Sequence, residues 1–315
     1  MIESPIVSVL LPVRNGEQYI LESISSILWQ SFTNWELIII DNGSEDRTQE
    51  LCESFQDRRI RFFRNPGQKT IATALNFGID KSRGRFIARI DADDIALPQR
   101  LSKQVALLTR QPNTGLVGTW MRTFGERNTS WKYPVRNPDV QLAMLFSSPF
   151  GHPAVMFRKN WQSSSTGYYD SSFDLAEDYE LWTRISRQWE CENIPEELTL
   201  YRTHSGQSTK HQIQARESCV NRIRAEHHRE HGLVPLSENP SLREFVAWWK
   251  TFKLVPMERS VFRGARYHHH IWRQATLLLR QRVKNFLQRS NVLKEVTQAR
   301  NFLEKVPPRI SRSRE

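Results

Sequence analysis

Apolar residues fall in short unbroken runs through the first third of the chain. Positions 6–13 read Ile-Val-Ser-Val-Leu-Leu-Pro-Val, and positions 37–40 read Leu-Ile-Ile-Ile. Runs of this length, with little polar alternation, suit strands buried on both faces of a parallel sheet. Between them Ile20, Ile24, Ile27 and Leu28 recur at helical spacing within 19–29, the stripe of an amphipathic helix. The alternation continues with a helix over 47–55, a strand over 59–63, a helix over 70–80 and a strand over 85–90. Strands separated by helices predict βαβ units with right-handed crossovers.

Beyond residue 95 the rhythm loosens. A helix is expected over 98–110, where Pro98 is tolerated in the first turn. Strands are expected over 115–124 and 154–157, and 127–138 reads as polar and turn-rich. An amphipathic helix over 177–187 precedes strand candidates at 191–194 and 198–201. From about residue 212 the chain turns helical, basic and aromatic. The pattern divides the molecule into an α/β domain, 1–211, with a mostly parallel sheet and flanking helices, and a helical extension, 212–315.

Composition sharpens this division. The 315 residues are 38% hydrophobic and 25% charged, ordinary globular usage. No apolar run approaches the roughly 18 residues of a spanning helix, and Met1–Pro5 lacks the basic stretch that opens a signal peptide. Cys52, Cys191 and Cys219 are widely spaced and odd in number, so reduced thiols in a cytoplasmic protein are expected. The net charge of +11 is unevenly placed. Residues 1–214 hold 24 Lys and Arg against 25 Asp and Glu, whereas residues 215–315 hold 21 against 9. The basic excess belongs to the last third and implies contact with an anionic surface, or a solvated helical face.

Ligands of an open α/β sheet bind beyond the carboxyl ends of its strands, so those ends deserve a close reading. The first runs into Pro12-Val13-Arg14-Asn15-Gly16-Glu17, which is neither a dinucleotide-binding glycine turn nor a phosphate-binding P-loop. The second ends in Asp41-Asn42-Gly43-Ser44-Glu45-Asp46, where Ser44 and Asp46 suit a cap on the next helix. The fourth ends in Asp91-Ala92-Asp93-Asp94. Three carboxylates at a buried strand edge repel one another unless something positive sits among them, and Mg²⁺ or Mn²⁺ takes such oxygen ligands. Glu177-Asp178 opens a helix, as an acidic pair complementing the helix dipole or as a catalytic one.

Six blocks in fixed order make the assembled pattern specific: VSVLLPVRNGEQYILESISSILWQSF, ELIIIDNGSEDRT, RFFRNPGQKTIATALNFGIDKSRGRFIARIDADD, GHPAVMFR, AEDYELWTR and YRTHSGQST. Over residues 6 to about 210 the chain resembles the family 2 glycosyltransferases, whose catalytic domain has the GT-A nucleotide-diphospho-sugar transferase fold. The resemblance implies that Pro12, Val13, Glu17, Asp41, Asn76, Asp91 and Ala92 bind the donor, a UDP-sugar above all. It implies that Asp93 and His204 hold Mn²⁺ or Mg²⁺, that Asp178 is the general base, and that His152 and Glu177 lie on the acceptor side. Two positions depart from the family pattern: Asn42 replaces the commoner second aspartate, and Leu75 stands where an arginine usually precedes Asn76.

The expected activity is metal-dependent, inverting transfer to a saccharide or lipid-linked hydroxyl in cell-surface polysaccharide synthesis. A nucleotidyltransferase also uses strand-end carboxylates and metal, but 12–16 offers little of its phosphate loop. A nucleic-acid-binding protein would work through the basic tail, which holds no recognisable binding motif, so no nucleic-acid partner is expected. In that tail Ile271, Ala275, Leu278, Leu279, Val283, Phe286 and Leu287 share one helical face beside Arg273, Arg280, Arg282, Lys284 and Arg289. Such a helix either lies peripherally on the inner membrane surface or docks on the catalytic domain. The histidines at 227, 228, 231 and 268–270 are expected to be solvated.

Overall fold

The computed structural model describes residues 4–67, 70–161, 167–205 and 213–231. Its first half follows the predicted alternation. Strand β1 (Val7–Val13) leads through helix α1 (Ile20–Leu28) to β2 (Trp35–Asp41), and α2 (Thr48–Glu53) leads to β3 (Ile60–Arg64). Helix α3 (Ile71–Lys81) returns the chain to β4 (Phe86–Arg89). These four strands are parallel in the order β3-β2-β1-β4, with Val13 opposite Asp41 and Leu10 opposite Arg89. Every residue of β1 and β2 is buried, as unbroken apolar runs require of strands covered on both faces.

The second half extends the sheet with mixed pairing. Strands β6 (Thr114–Gly125), β8 (Met156–Arg158) and β9 (Glu190–Thr203) continue it, β8 lying antiparallel between β4 and β6, and β6 running parallel to β9. The two candidates at 191–194 and 198–201 form this single strand β9, whose register against β6 slips near Thr119–Met121. Pattern reading also missed three elements: β5 (Ile95–Ala96), β7 (Ser130–Trp131) and helix α5 (Asn137–Met144). The two strands are two residues each, too short for a period-two signal. The helix begins at the end of the stretch expected to be turn-rich, and Pro138 stands in its first turn, where the missing N–H costs nothing.

Alternation along the strands sorts the core into two layers. Leu10, Ile38, Ile40, Ile87, Leu116 and Phe157 face α3 and α6 (Glu177–Ser186). Val9, Leu11, Leu37, Ile39, Ala88 and Val117 face α1 and α4 (Arg100–Arg110). Side chains of this size contribute about 1.5–3 kcal/mol each on burial. Leu75 belongs to the first layer and is fully buried, so a guanidinium there would have no water.

Helix α7 (Ile213–Glu230) begins just past the expected boundary and packs on α6. Ile223 enters the core, and His228 Nε2 donates to the Leu145 carbonyl at 2.8 Å. His227 and His228 are buried, at 1% and 4% exposure. The expectation of solvated histidines therefore fails at 227 and 228, which lie on the face by which α7 docks. Histidines 268–270 and the amphipathic stretch 271–287 lie outside the described residues, as does the 211/212 boundary. All three cysteines are free thiols. Among the described residues no helix is long and apolar enough to cross a membrane.

Candidate active site

The parallel register brings the carboxyl ends of β1, β2 and β4 to one edge. There the loops after β1 and β2 are laced together. Asn15 N–H donates to Ser44 Oγ at 2.9 Å, Gly16 N–H to Thr48 Oγ1 at 2.8 Å and Glu17 N–H to Asp46 Oδ2 at 3.0 Å. In return Glu17 Oε2 accepts from Arg47 N–H at 3.1 Å. Asp46 does serve the first turn of α2, accepting from Thr48 N–H. Ser44 holds the β1 loop instead of capping the helix. Asp41 is buried, accepts from Ser44 N–H at 2.9 Å and faces Arg64 at 3.8 Å. Pro12 and Val13 form the buried floor beside it, and Ala92 lies near Gly16.

Asp91, Asp93 and Asp94 each offer an oxygen within 4.8 Å of the others. Their repulsion is partly met by arginines. Arg89 donates from Nη1 to Asp91 Oδ2 at 3.0 Å and from Nη2 to its other oxygen, while itself almost fully buried. Arg202 donates its main-chain N–H to Asp94 Oδ1 and its Nε–H to the Asp93 carbonyl, each at 2.8 Å. Its guanidinium lies over the rings of Tyr19 and Phe124 and pairs with Glu22 at 2.7 Å. Burial pushes the Asp91 carboxyl up to about 6 despite the Arg89 charge, with Asp93 adding to the rise. Burial, then Asp91 and Asp93, raise Asp94 still more clearly. Asp94 Oδ2 is buried without a hydrogen-bond partner among the described residues. His204 Nε2 stands 3.0 Å from Asp93 Oδ2. An orphaned buried carboxylate oxygen, clustered acids and a converging imidazole form a donor set suited to a hard divalent cation.

A second acidic group lies close enough for the Asp178 charge to act on Asp91. Leu175, at φ +75°, adopts a left-handed conformation that side chains rarely tolerate, and so aims the start of α6. Glu177 and Asp178 open that helix, and the Asp178 carboxylate accepts from main-chain N–H groups of its first turn. The dipole-complementing reading and the catalytic one thus describe the same geometry. Burial raises Asp178, and burial reinforced by Asp178 pushes Glu177 up to about 8. His152 Nε2 lies 3.0 Å from Tyr169 Oη, and Nδ1 faces Glu177 at 3.8 Å. Burial and the Arg89 charge keep the His152 imidazole neutral, well below its usual titration range. Asn76 lies in α3. Its amide pairs in both directions with the Tyr169 main chain, at 2.7 and 2.8 Å, tying α3 to the segment that supports His152.

Arg89 is the residue pattern reading overlooked. Its charge reaches Asp91, Asp94 and Glu177 together, which links the two acidic groups. The signal was available: an arginine inside the apolar strand Phe-Ile-Ala-Arg-Ile must be paired to be buried. Tyr169, by contrast, carries no local signal.

A four-stranded parallel sheet extended by strands of mixed pairing, with acids gathered at its carboxyl edge, defines a GT-A type nucleotide-sugar transferase fold. The chain belongs to glycosyl transferase family 2, whose family model matches residues 8–165. An uncharacterized glycosyltransferase of Haemophilus influenzae is 34% identical over 218 residues, 65% of this chain and 68% of that protein. The O-antigen biosynthesis glycosyltransferase WbnJ of Escherichia coli is 34% identical over 216 residues, 65% and 82% of the two chains. Among solved structures, S. aureus TarS in complex with UDP-GlcNAc superposes with a TM-score of 0.58 at 16% identity. That match covers 70% of this chain and 66% of the TarS chain, just under two thirds. The mannosyltransferase PcManGT of Pyrobaculum calidifontis, in complex with GDP-Man and Mn²⁺, superposes with a TM-score of 0.52 at 17% identity, over 91% and 89% of the chains. At these identities the structural likeness is one of fold.

Proposed function

We propose that this glycosyltransferase moves a sugar from a nucleotide-diphosphate donor, a UDP-sugar before others, to a hydroxyl of a saccharide or lipid-linked acceptor, with inversion and with Mn²⁺ or Mg²⁺. The observation that carries the reading is the Asp91, Asp93 and Asp94 cluster with His204 against Asp93. The nucleotide-sugar complexes of TarS and PcManGT support the donor class, and the Mn²⁺ of PcManGT supports the metal. The name of WbnJ supports a cell-surface saccharide product. The division into a catalytic part, 1–211, and a basic extension, 212–315, resting peripherally on the inner membrane surface, belongs to the same proposal.

Asp93 and His204, with Asp91 beside them, would hold the cation, which would neutralise charge on the departing diphosphate as a Lewis acid. Pro12, Val13, Glu17, Asp41 and Ala92 would line the nucleoside end of the cleft, and Asn76 would act through the Tyr169 segment. Asp178 would take the proton of the attacking hydroxyl as that oxygen meets the anomeric carbon from the face opposite the leaving group. Neighbouring carboxyls whose environments push them apart divide their roles. Glu177, lifted to about 8, is the member favoured to hold the proton, and the Asp178 carboxylate, which accepts main-chain N–H groups, would be the base. A thermal-shift series with UDP-, GDP- and dTDP-sugars, with and without Mn²⁺, tests the reading, because a ligand that binds the native state raises its melting temperature. Metal-dependent stabilisation by at least one donor is expected; no shift with any of them would overturn the proposal.

A further inference from the structure

Beside the candidate base, the sheet presents an aromatic face that none of the roles above uses. Trp131 ends β7, which pairs antiparallel with β6 so that Trp131 stands opposite Met121. Tyr201 of β9 stands opposite Thr123 of β6. Side chains two positions apart on a strand share a face, so Met121, Thr123, Trp131 and Tyr201 lie on one side of this sheet edge. The Trp131 and Tyr201 rings are 5.0 Å apart at 35°, and Trp131 is 38% exposed. The indole, partly exposed and braced by the tyrosine ring, offers a flat apolar surface to solvent.

The platform is continuous with the acceptor side. Tyr133 follows Trp131 by two residues, and its hydroxyl lies against Gly151, where a Cβ would come within 3.1 Å of Oη and 2.6 Å of Met121 Sδ. Gly151 immediately precedes His152. Burial raises the Tyr133 phenol, and the charges of Asp178 and Tyr201 act on it as well. Tyr133, against Gly151 and two residues from Trp131, therefore joins the acceptor-side residue His152 to the aromatic pair of Trp131 and Tyr201. Asn193 fixes this wall from behind, donating from Nδ2 to the carbonyls of Pro134 at 2.7 Å and Pro149 at 3.1 Å.

Resting on the glycosyltransferase reading, we infer that Trp131 and Tyr201 form an acceptor subsite that stacks the pyranose ring of a saccharide. A pyranose has one face of C–H groups and a rim of hydroxyls. Its C–H face suits a flat aromatic surface, while the rim stays solvated or reaches polar groups toward Asp178. Aromatic side chains offer that contact at little cost in conformational entropy. Held there, the acceptor presents its hydroxyl to the base in a fixed orientation, a positioning effect on the reaction.

The test uses the full-length protein, the donor that gives the largest thermal shift, and methyl and octyl glycosides of glucose, galactose, N-acetylglucosamine and rhamnose. Trp131→Ala should raise the acceptor KM about tenfold or more, with donor KM within about twofold, and Trp131→Phe should restore most of the difference. Tyr201→Ala should move the acceptor KM in the same direction. Methyl and octyl glycosides should be affected alike, since the ring is the group recognised. A Trp131→Ala effect confined to octyl glycosides would assign the indole to an alkyl chain and overturn the inference. So would an unchanged acceptor KM with a lowered melting temperature, the mark of a ring that only pins β7 to β9. A parent protein that turns over the donor but neither uses nor binds any of these glycosides also overturns the subsite alone. One that binds and turns over no nucleotide sugar overturns the underlying reading together with it.

Discussion

His204 Nε2 lies 3.0 Å from Asp93 Oδ2, although 111 residues separate the two in sequence. The contact exists because β9 passes the end of β4, where Arg202 N–H binds Asp94 and its Nε–H binds the Asp93 carbonyl. Tyr19 lies against the imidazole at 5.1 Å, so the histidine is held from two sides. A basic strand end is thereby clamped onto an acidic one.

The first prediction follows from that clamp. Asp93→Ala removes the carboxylate that His204 faces and should abolish transfer. It should also erase the Mn²⁺-dependent part of the donor's thermal shift. Metal-dependent activity retained in this variant would exclude Asp93 as a ligand.

Asp178→Asn tests the base. The amide keeps shape and hydrogen-bonding capacity but cannot take a proton at neutral pH. Donor affinity should persist while kcat falls by roughly 10²- to 10⁴-fold, the usual worth of general-base assistance. A fall in donor affinity with kcat preserved would place Asp178 in the donor site instead.

Two pH effects should be separable. Burial raises Asp178, so the base is lost to protonation at a higher pH than an ordinary carboxylate, and kcat should fall as pH drops through that raised value. Glu177 bears on stability. Its pKa rises from 4.5 to about 8 in the folded protein. Its stabilising contribution is complete below 4.5 and is lost as pH rises toward 8, because the unfolded chain ionises first. The melting temperature of Glu177→Gln should therefore match the parent's at pH 4.5 and exceed it increasingly up to pH 8. A constant difference across that window would contradict the buried, desolvated state of this carboxyl.

Asn193→Ala strips the two carbonyls that it bridges of their donor. Leaving buried acceptors unsatisfied should cost about 1–3 kcal/mol in chemical denaturation. The same loss should loosen the wall that carries Tyr133 and His152. Unaltered stability would mean that water replaces the amide there.

The basic segment makes a prediction that rests on sequence alone. If 271–287 seeks an anionic surface, the protein should sediment with anionic liposomes at low salt, release at high salt and ignore neutral liposomes. Reversing charge at Arg273, Arg280, Arg282 and Lys284 should weaken sedimentation. Equal binding of that variant and the parent would favour a helix docked on protein.

How far the chain could be read in advance depended on the reach of each interaction. The parallel half was legible because local pattern and tertiary demand coincide: 37–40 is apolar throughout and 6–13 is apolar but for Ser8, and only strands covered on both faces bury such runs. Asp91 to Asp94 were legible because a strand end is defined locally. The mixed half was not, since β5 and β7 exist only through partners in β9 and β6. The site divides in the same way. Sequence supplied the acids and histidines as ordered blocks, but their compensation came from chain-distant groups: Arg202 beside Asp93, Tyr169 beside His152, Tyr201 beside Trp131. Which charge is buried, which carboxyl stays protonated and which ring faces water are properties of surroundings, and surroundings are fixed only when the sheet closes in register. The sequence by itself determined the chemical groups and the strand ends that bear them; the tertiary structure decided their partners, because desolvation and Coulomb interaction act through space and not along the chain.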